Sequence, residues 1–290
     1  MNIFDIQTDF ITRDTRTHIA TGRELTAETL LTRFQAWVSP ENLKGKSVLD
    51  IGCCFGAFGA YALSNGASKY IGLEISKPLA AIADENLTKY YGYSQNWDII
   101  VDSCENFLEN NTEEFDIILL GGVIHGITNF LPVLTAMANC AKTIVIESIH
   151  PTVPFLLPLI DEIAQVKGEE SYGRLQKIML SVEYSYPVVG YTNIGKMMHH
   201  DKHEAVSNII RPCPSIGALK LIMNRLGFKE DIKGYVTLKK AYPEQYGLGK
   251  RFIISFIKDS EAKPMSYSEL INSDYKEVQE WNGGNAKGII

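Results

Sequence analysis

The segment SVLDIGCCFGAFGAYALSNGASKYIGLEIS, residues 47–76, constrains the fold more than any other part of the chain. A short apolar strand, Ser47 to Ile51, runs into a glycine-rich loop, CCFGAFG. An Ala-rich helix follows and stops near Asn65-Gly66, and a second apolar strand covers 69–75. In such a strand–loop–helix unit, a tight glycine turn lets backbone amides approach a ligand closely, and Gly52 and Gly56 supply the two close approaches. Glu74 lies 22 residues beyond Gly52, at the end of the second strand. A carboxylate there can accept hydrogen bonds from both hydroxyls of a ribose.

The alternation continues on both sides of this unit. A helix is expected from about Thr26 to Val38, with Leu30, Leu31, Phe34 and Trp37 at helical spacing and Ser39-Pro40 as its stop. Ser76 and Pro78 open a helix that Gly92 closes. Strands are expected at 97–101, 115–120 and 143–149, with a short helix around Cys104 to Leu108. A further helix carries Phe130, Val133, Leu134, Met137 and Ala138 on one face. Apolar strands alternating with amphipathic helices imply an α/β fold: a doubly wound, mostly parallel, seven-stranded Rossmann-like sheet. The pattern breaks over 151–210, read as an insertion lying over the strand ends. It resumes with a helix, Ser215 to Leu226, ended by Gly227, and with closing antiparallel strands at about 232–239 and at 251–257. The expected organisation is therefore a helical segment 1–42, a cofactor-binding core 43–150, the insertion 151–210, the rest of the core sheet 211–258 and a tail 259–290.

Composition removes other classes. At 45% hydrophobic and 21% charged residues the chain can bury a large core, which excludes disorder. A net charge of -6 makes it a poor general polyanion binder. Cys53, Cys54, Cys104, Cys140 and Cys213 form neither a disulfide framework nor a zinc knuckle, which suits reduced thiols in the cytoplasm. The N-terminus has acids where a signal peptide would be basic, and no apolar core region. Residues 117–141 lack charge, but Gly121-Gly122 and Pro132 divide them into strand, loop and helix rather than a membrane span.

Two cofactor classes use a glycine loop coupled to an acid. A dinucleotide site calls for Gly-x-Gly-x-x-Gly, whereas Cys54 stands at the third loop position and Ala57 at the sixth. Asp50, just before the loop, is poorly placed for a pyrophosphate. It suits the ammonium and sulfonium charges of S-adenosylmethionine, so the nicotinamide reading fits less well.

On these segments, residues 43–150 resemble the class I S-adenosylmethionine-dependent methyltransferases. LDIGCCFG resembles their first motif, departing from it at Cys54, where the family usually has glycine. The resemblance implies that Asp50, Gly52, Cys54 and Gly56 form the loop against the amino-acid part of the cofactor and that Glu74 binds the ribose. VDSCENF (101–107) is similar to the segment that meets the adenine, which nominates Asp102 and Ser103. FDIILLGGVIHGI (115–127) resembles the fourth strand and the loop lining the methyl-transfer site, which adds Gly121. A weaker likeness, resting also on IRPCPSIGALKLIMNRLGFKED (210–231), points to the branch containing the tRNA wobble-uridine modifying enzymes and their small-molecule relatives.

His125 is the best-placed candidate base, since it follows the Gly-Gly turn in the loop that faces the methyl group in relatives; the alternative is a loop histidine that shapes the pocket or caps the next helix. His150, just past the fifth strand, is a second candidate. His199, His200, Asp201 and His203 admit a metal site, a substrate-binding lid or a solvated surface, and no zinc-protease signature is present; no metal is assigned. Tyr184, Tyr186 and Tyr191 are wall or packing residues. Within the insertion five basic residues, six with Arg211 just past it, stand against seven acids, so no basic stripe for a phosphate backbone exists there. Adjacent Cys53 and Cys54 are read as loop residues rather than a redox pair. The expectation is a cytoplasmic methyltransferase with a small-molecule acceptor. An RNA-directed enzyme, a non-catalytic binding module and a reductase are the rivals.

Overall fold

The computed structural model describes residues 27–93, 96–149, 189–194, 197–198, 205–206, 209–231 and 251–270. The strands are β1 Ser47–Ile51, β2 Lys69–Glu74, β3 Trp97–Val101, β4 Phe115–Gly121, β5 Ala141–Ile149, β6 Val189–Ile194, β7 Met197–Met198, β8 Ala205–Val206, β9 Ile209–Pro214, β10 Phe228–Asp231 and β11 Arg251–Lys258. The helices are α1 Ala27–Trp37, α2 Pro40–Leu43, α3 Ala57–Ser64, α4 Lys77–Tyr91, α5 Cys104–Asn110, α6 Phe130–Cys140 and α7 Ile216–Arg225.

Seven strands form one sheet in the order β10-β11-β5-β4-β1-β2-β3. Strands β1 to β5 are parallel, and β11 pairs antiparallel with both β5 and β10. The strand order reverses direction between β1 and β4, which opens a crevice at the carboxyl ends of those strands. This is the Rossmann-like architecture that the alternation implied. One closing strand differs from expectation. β10 begins at Phe228, directly after the left-handed turn at Gly227 (φ 84°), and Phe228 is its one buried apolar residue. The stretch 232–239 lies outside the described residues.

Alternation along each strand fills both faces. Leu49, Ile51, Leu73, Ile118, Leu120, Ile144, Ile146, Phe252 and Ile254 pack on one side with α5, α6 and α7. Val48, Tyr70, Ile117, Leu119, Val145 and Ile253 pack on the other with α1 and α3. Each fully buried large side chain contributes about 1.5–3 kcal/mol, so the sheet is the stable platform. α1 is fixed to the second face by a ring cluster, with Phe34, Trp37, Phe58 and Tyr61 at centroid distances from 5.2 to 5.7 Å. At the carboxyl edge of this second face, alternation places two acids where apolar residues would otherwise stand: Asp50 on β1 and Glu147 on β5.

Past β5, two small antiparallel pairs occur, β6 with β9 and β7 with β8. β9 runs beside the one-turn 3-10 helix Ile124–Gly126 and reaches Pro214, beyond the boundary at 210 read from sequence. Among the described residues no helix is long and apolar enough to cross a membrane.

Candidate active site

The first wall of the crevice is the loop between β1 and α3. Gly52, Cys54 and Gly56 all take positive φ, at 79°, 53° and 77°. The Gly52 amide donates to the Leu73 carbonyl at 2.7 Å, which pins the loop to the end of β2. A Cβ on Gly52 would sit 2.4 Å from Val123 Cγ2, so the β1 and β4 loops approach each other only because this residue has no side chain. Cys54 holds a left-handed conformation that disfavours any residue with a Cβ by about 1–2 kcal/mol, which gives a physical reason for the glycine usual in the resembling motif.

Glu74 closes this loop. Its Oε2 accepts the Cys54 amide and its Oε1 the Ser76 amide, both at 3.0 Å, and it is 7% exposed. The sequence reading gave Glu74 a ligand role alone; the structure adds that it orders the loop. Each carboxylate oxygen keeps a second lone pair for a hydroxyl. Ile75, next in sequence, is 73% exposed, and Val101, paired in register with Glu74, is also exposed. These two apolar residues at the crevice were missed, although an apolar residue directly after a ligand-binding acid is a readable signal for a flat apolar group.

Asp50 is 3% exposed and accepts the Tyr70 hydroxyl at 2.8 Å. Burial, with the nearby Glu74 charge, pushes its carboxyl up to about 7, against the easing of the Tyr70 hydroxyl and the more distant Arg33. No cation is bonded to it among the described residues. A buried carboxylate in that condition favours a cationic ligand. Behind it Cys53 is buried, and burial together with the Asp50 charge holds its thiol well above the usual range, which leaves it a protonated packing group rather than a redox centre.

The second wall is the end of β4. Gly121 lies against Trp37, where a Cβ would come within 2.9 Å of the indole. Gly122 donates to the Glu147 carbonyl at 3.0 Å, and the chain then turns through His125. His125 is half-buried, and its Nδ1 stands 3.4 Å from Oγ of Ser148, a fully buried residue of β5. This long contact ties the ring to β5 through Nδ1.

Asp102 and Ser103 stand at the end of β3, both half-buried, and are engaged with α5. Asp102 accepts the Ser103 amide at 2.8 Å and the Asn106 side-chain amide at 2.6 Å, while Ser103 Oγ caps the helix through the Asn106 amide at 3.1 Å. An open groove of about 1090 Å³ along the free edge of β3 includes Asp102 but neither Glu74 nor the glycine loop. His150, Tyr184, Tyr186, His199, His200, Asp201 and His203 lie outside the described residues, and for Tyr191 only the backbone within β6 is described. Among the described residues no group of three or more His, Cys, Asp or Glu side chains is placed to hold a metal ion.

The fold and this crevice define an α/β protein whose glycine loop and two buried acids, Asp50 and Glu74, meet at the carboxyl ends of β1 and β2, facing the end of β4. Residues 49–143, about a third of the chain, match the family model described as Methyltransferase domain. An uncharacterized protein from Haemophilus influenzae is 30% identical over 113 residues, which is 38% of this chain and 44% of that protein. The chain thus spans less than half the length of that curated relative. Among solved structures, magnesium protoporphyrin IX methyltransferase from Synechocystis, with bound SAH, is similar at a TM-score of 0.47 and 13% identity, covering 80% of this chain and 83% of that one. An S-adenosylmethionine-dependent methyltransferase from Mesorhizobium loti gives a TM-score of 0.47 and 14% identity, covering 80% and 97%.

Proposed function

We propose that the chain is a class I S-adenosylmethionine-dependent methyltransferase that acts on an oxygen, nitrogen or carbon nucleophile of a small molecule. The observation that carries this reading is the contact of β9 with the turn bearing His125. A strand lying against that turn suits an acceptor of a few rings or fewer better than a base within a folded RNA. The balance of five basic residues against seven acids in 151–210 supports the same choice.

The cofactor supplies a methyl group on a sulfonium, open to in-line attack by a nucleophile. The glycine cradle at Gly52, Cys54 and Gly56 fits its amino-acid part, with Asp50 facing the ammonium. Glu74 would take the ribose hydroxyls, and the exposed apolar surfaces of Ile75 and Val101 would flank the base, with Asp102 and Ser103 at its edge. Gly121 leaves room where the β4 end meets the amino-acid part. His125, oriented through Ser148, accepts a proton from the acceptor as it attacks; general-base assistance of this kind is worth about 10²–10⁴-fold. His150 follows β5 directly in the chain and is the second candidate for that role. The surrounding walls hold acceptor and methyl group in line and exclude water.

Calorimetric titration with S-adenosylmethionine and S-adenosylhomocysteine, with NADH as control, tests the cofactor part. Micromolar binding is expected for both sulfur nucleotides and none for NADH. Glu74→Ala should abolish it, through the lost ribose contacts and the loosened Cys54 amide together. A panel of small acceptors then tests the substrate class, and His125→Ala should lower turnover on any acceptor found by at least tenfold. RNA binding with a steep salt dependence, and methylation of RNA in preference to the panel, would replace the small-molecule reading.

A further inference from the structure

At the carboxyl edge, beyond Asp50, one buried carboxylate is shared by two arginines. Glu147, with a fully buried side chain, accepts Arg33 Nε at 2.8 Å and Arg33 Nη2 at 2.9 Å, Trp37 Nε1 at 2.7 Å and Arg251 Nε at 2.6 Å. Among the described residues two guanidiniums share this one carboxylate. Arg33 commits two nitrogens to the carboxylate and lies over the Trp37 ring, 4.6 Å from its centroid. Arg251 commits Nε alone, the one hydrogen bond it makes among the described residues, and its side chain is 25% exposed.

The position of Arg251 follows from strand register. It opens β11, opposite Ile149 at the carboxyl end of β5. Its guanidinium reaches back over the end of β4, where a Cβ on Gly122 would lie 2.8 Å from Nη2. Gly122 is three residues before His125, in the turn that forms the transfer wall. Arg33 Nη2 is also near this point, 3.7 Å from the same Cβ position. Arg33 is near enough to Asp50 to ease its charge, whereas Arg251 sits on the strand beyond β5, further from β1.

We propose that Arg251 is the acceptor-anchoring residue, and that the acceptor carries an anionic group, a carboxylate or a phosphate, which docks on its terminal nitrogens beside Gly122. A guanidinium fixed at one corner by a buried carboxylate presents its remaining N–H groups in a planar fork, the geometry that pairs with carboxylate and phosphate oxygens. Held there, the anion fixes one end of the acceptor against the turn that leads to His125. This assignment rests on the methyltransferase reading and narrows its substrate class to acids.

The test uses the full chain saturated with S-adenosylhomocysteine, with acetate and inorganic phosphate as probes at constant ionic strength and chloride as control. The Nε–Hε resonance of Arg251, identified by its loss in Arg251→Lys, is followed by NMR. A saturable shift with acetate or phosphate, absent with chloride, is expected, together with cofactor affinity in a folded Arg251→Gln variant within about twofold of the parent. No saturable shift with either probe overturns the proposal. So does a tenfold or greater loss of S-adenosylhomocysteine binding in Arg251→Gln with methylthioadenosine binding unchanged, because the arginine would then hold the carboxylate of the cofactor. Absence of S-adenosylhomocysteine binding in the unmodified chain is a separate result and strikes the methyltransferase reading itself.

Discussion

Asp50 and Glu147 share a face of the sheet, an edge and nearly complete burial, yet their carboxyls move in opposite directions. Burial pushes both up. At Asp50 little opposes it beyond a tyrosine hydroxyl and the more distant Arg33, and the carboxyl rises to about 7. At Glu147 two guanidiniums, aided by their hydrogen bonds, outweigh burial, and the carboxyl falls to about 2. Burial therefore says little about the role of an acid at a strand end; the count of cations supplied by the protein decides it. Glu147 is completed from within and anchors α1 and β11 to the sheet. Asp50 is completed only by something that arrives, and a cationic ligand is what it favours.

The largest expected effect comes from making Glu147 resemble Asp50 in charge balance. Glu147→Gln leaves two arginines around a neutral amide, and breaking a buried pair in this way costs about 3–5 kcal/mol. Urea unfolding monitored by circular dichroism should show a loss of unfolding free energy of that size, read as a lower midpoint. The sign of the pH dependence follows from the depressed value. Glu147 contributes its stability above the ordinary glutamate range, and that contribution is lost as pH falls towards about 2. The Gln variant should therefore show a flatter acid limb than the parent, and an unchanged acid limb would mean that the arginines do not hold this carboxylate in solution.

The next effect concerns ligand binding. A carboxyl raised to about 7 stabilises the ligand-free protein below the ordinary aspartate range, and that contribution is lost as pH rises through 7. A cationic cofactor needs the opposite form. S-adenosylmethionine affinity should rise between pH 6 and pH 8, approaching tenfold per unit below 7, with a proton released from Asp50 on binding. Calorimetry in buffers of different ionisation heat measures that proton directly. Asp50→Asn should weaken binding by about tenfold or more, roughly 1.4 kcal/mol at the lower bound, and abolish the pH dependence. Full affinity in the variant would leave Asp50 a packing group.

The two acids also differ in how far the sequence exposes them. Asp50 stands two residues before Gly52 and is readable with the loop and Glu74 because all three belong to one βαβ unit. The parallel strands were readable for the same reason, since burial on both faces writes continuous apolar runs between helices of regular period. Glu147 was not readable. Its partners stand 114, 110 and 104 residues away, and no local spacing links Arg33, Trp37 and Arg251 to the end of β5. β10 was hidden because FKED holds a single apolar residue, and β9 because it pairs with β6 outside the main sheet. Asp102 and Ser103 were nominated by position. Their contacts with Asn106 are helix-capping bonds that the same residues would make with or without a ligand.

The smallest expected effect probes the one loop residue that departs from glycine. Cys54 adopts φ 53° and gives its backbone amide, not its thiol, to Glu74. Cys54→Gly removes a Cβ from a left-handed conformation, a gain of about 1–2 kcal/mol, and adds backbone entropy to the unfolded chain, a loss of about 0.5–1 kcal/mol. The net gain in stability should be below about 1 kcal/mol, visible as a small rise in Tm. Cofactor affinity should change by less than about threefold, since the amide that meets Glu74 is kept. A tenfold change in affinity at constant stability would show instead that the thiol itself lies against the ligand. Asp50 would then share the task of selecting the cofactor with the residue four positions further on.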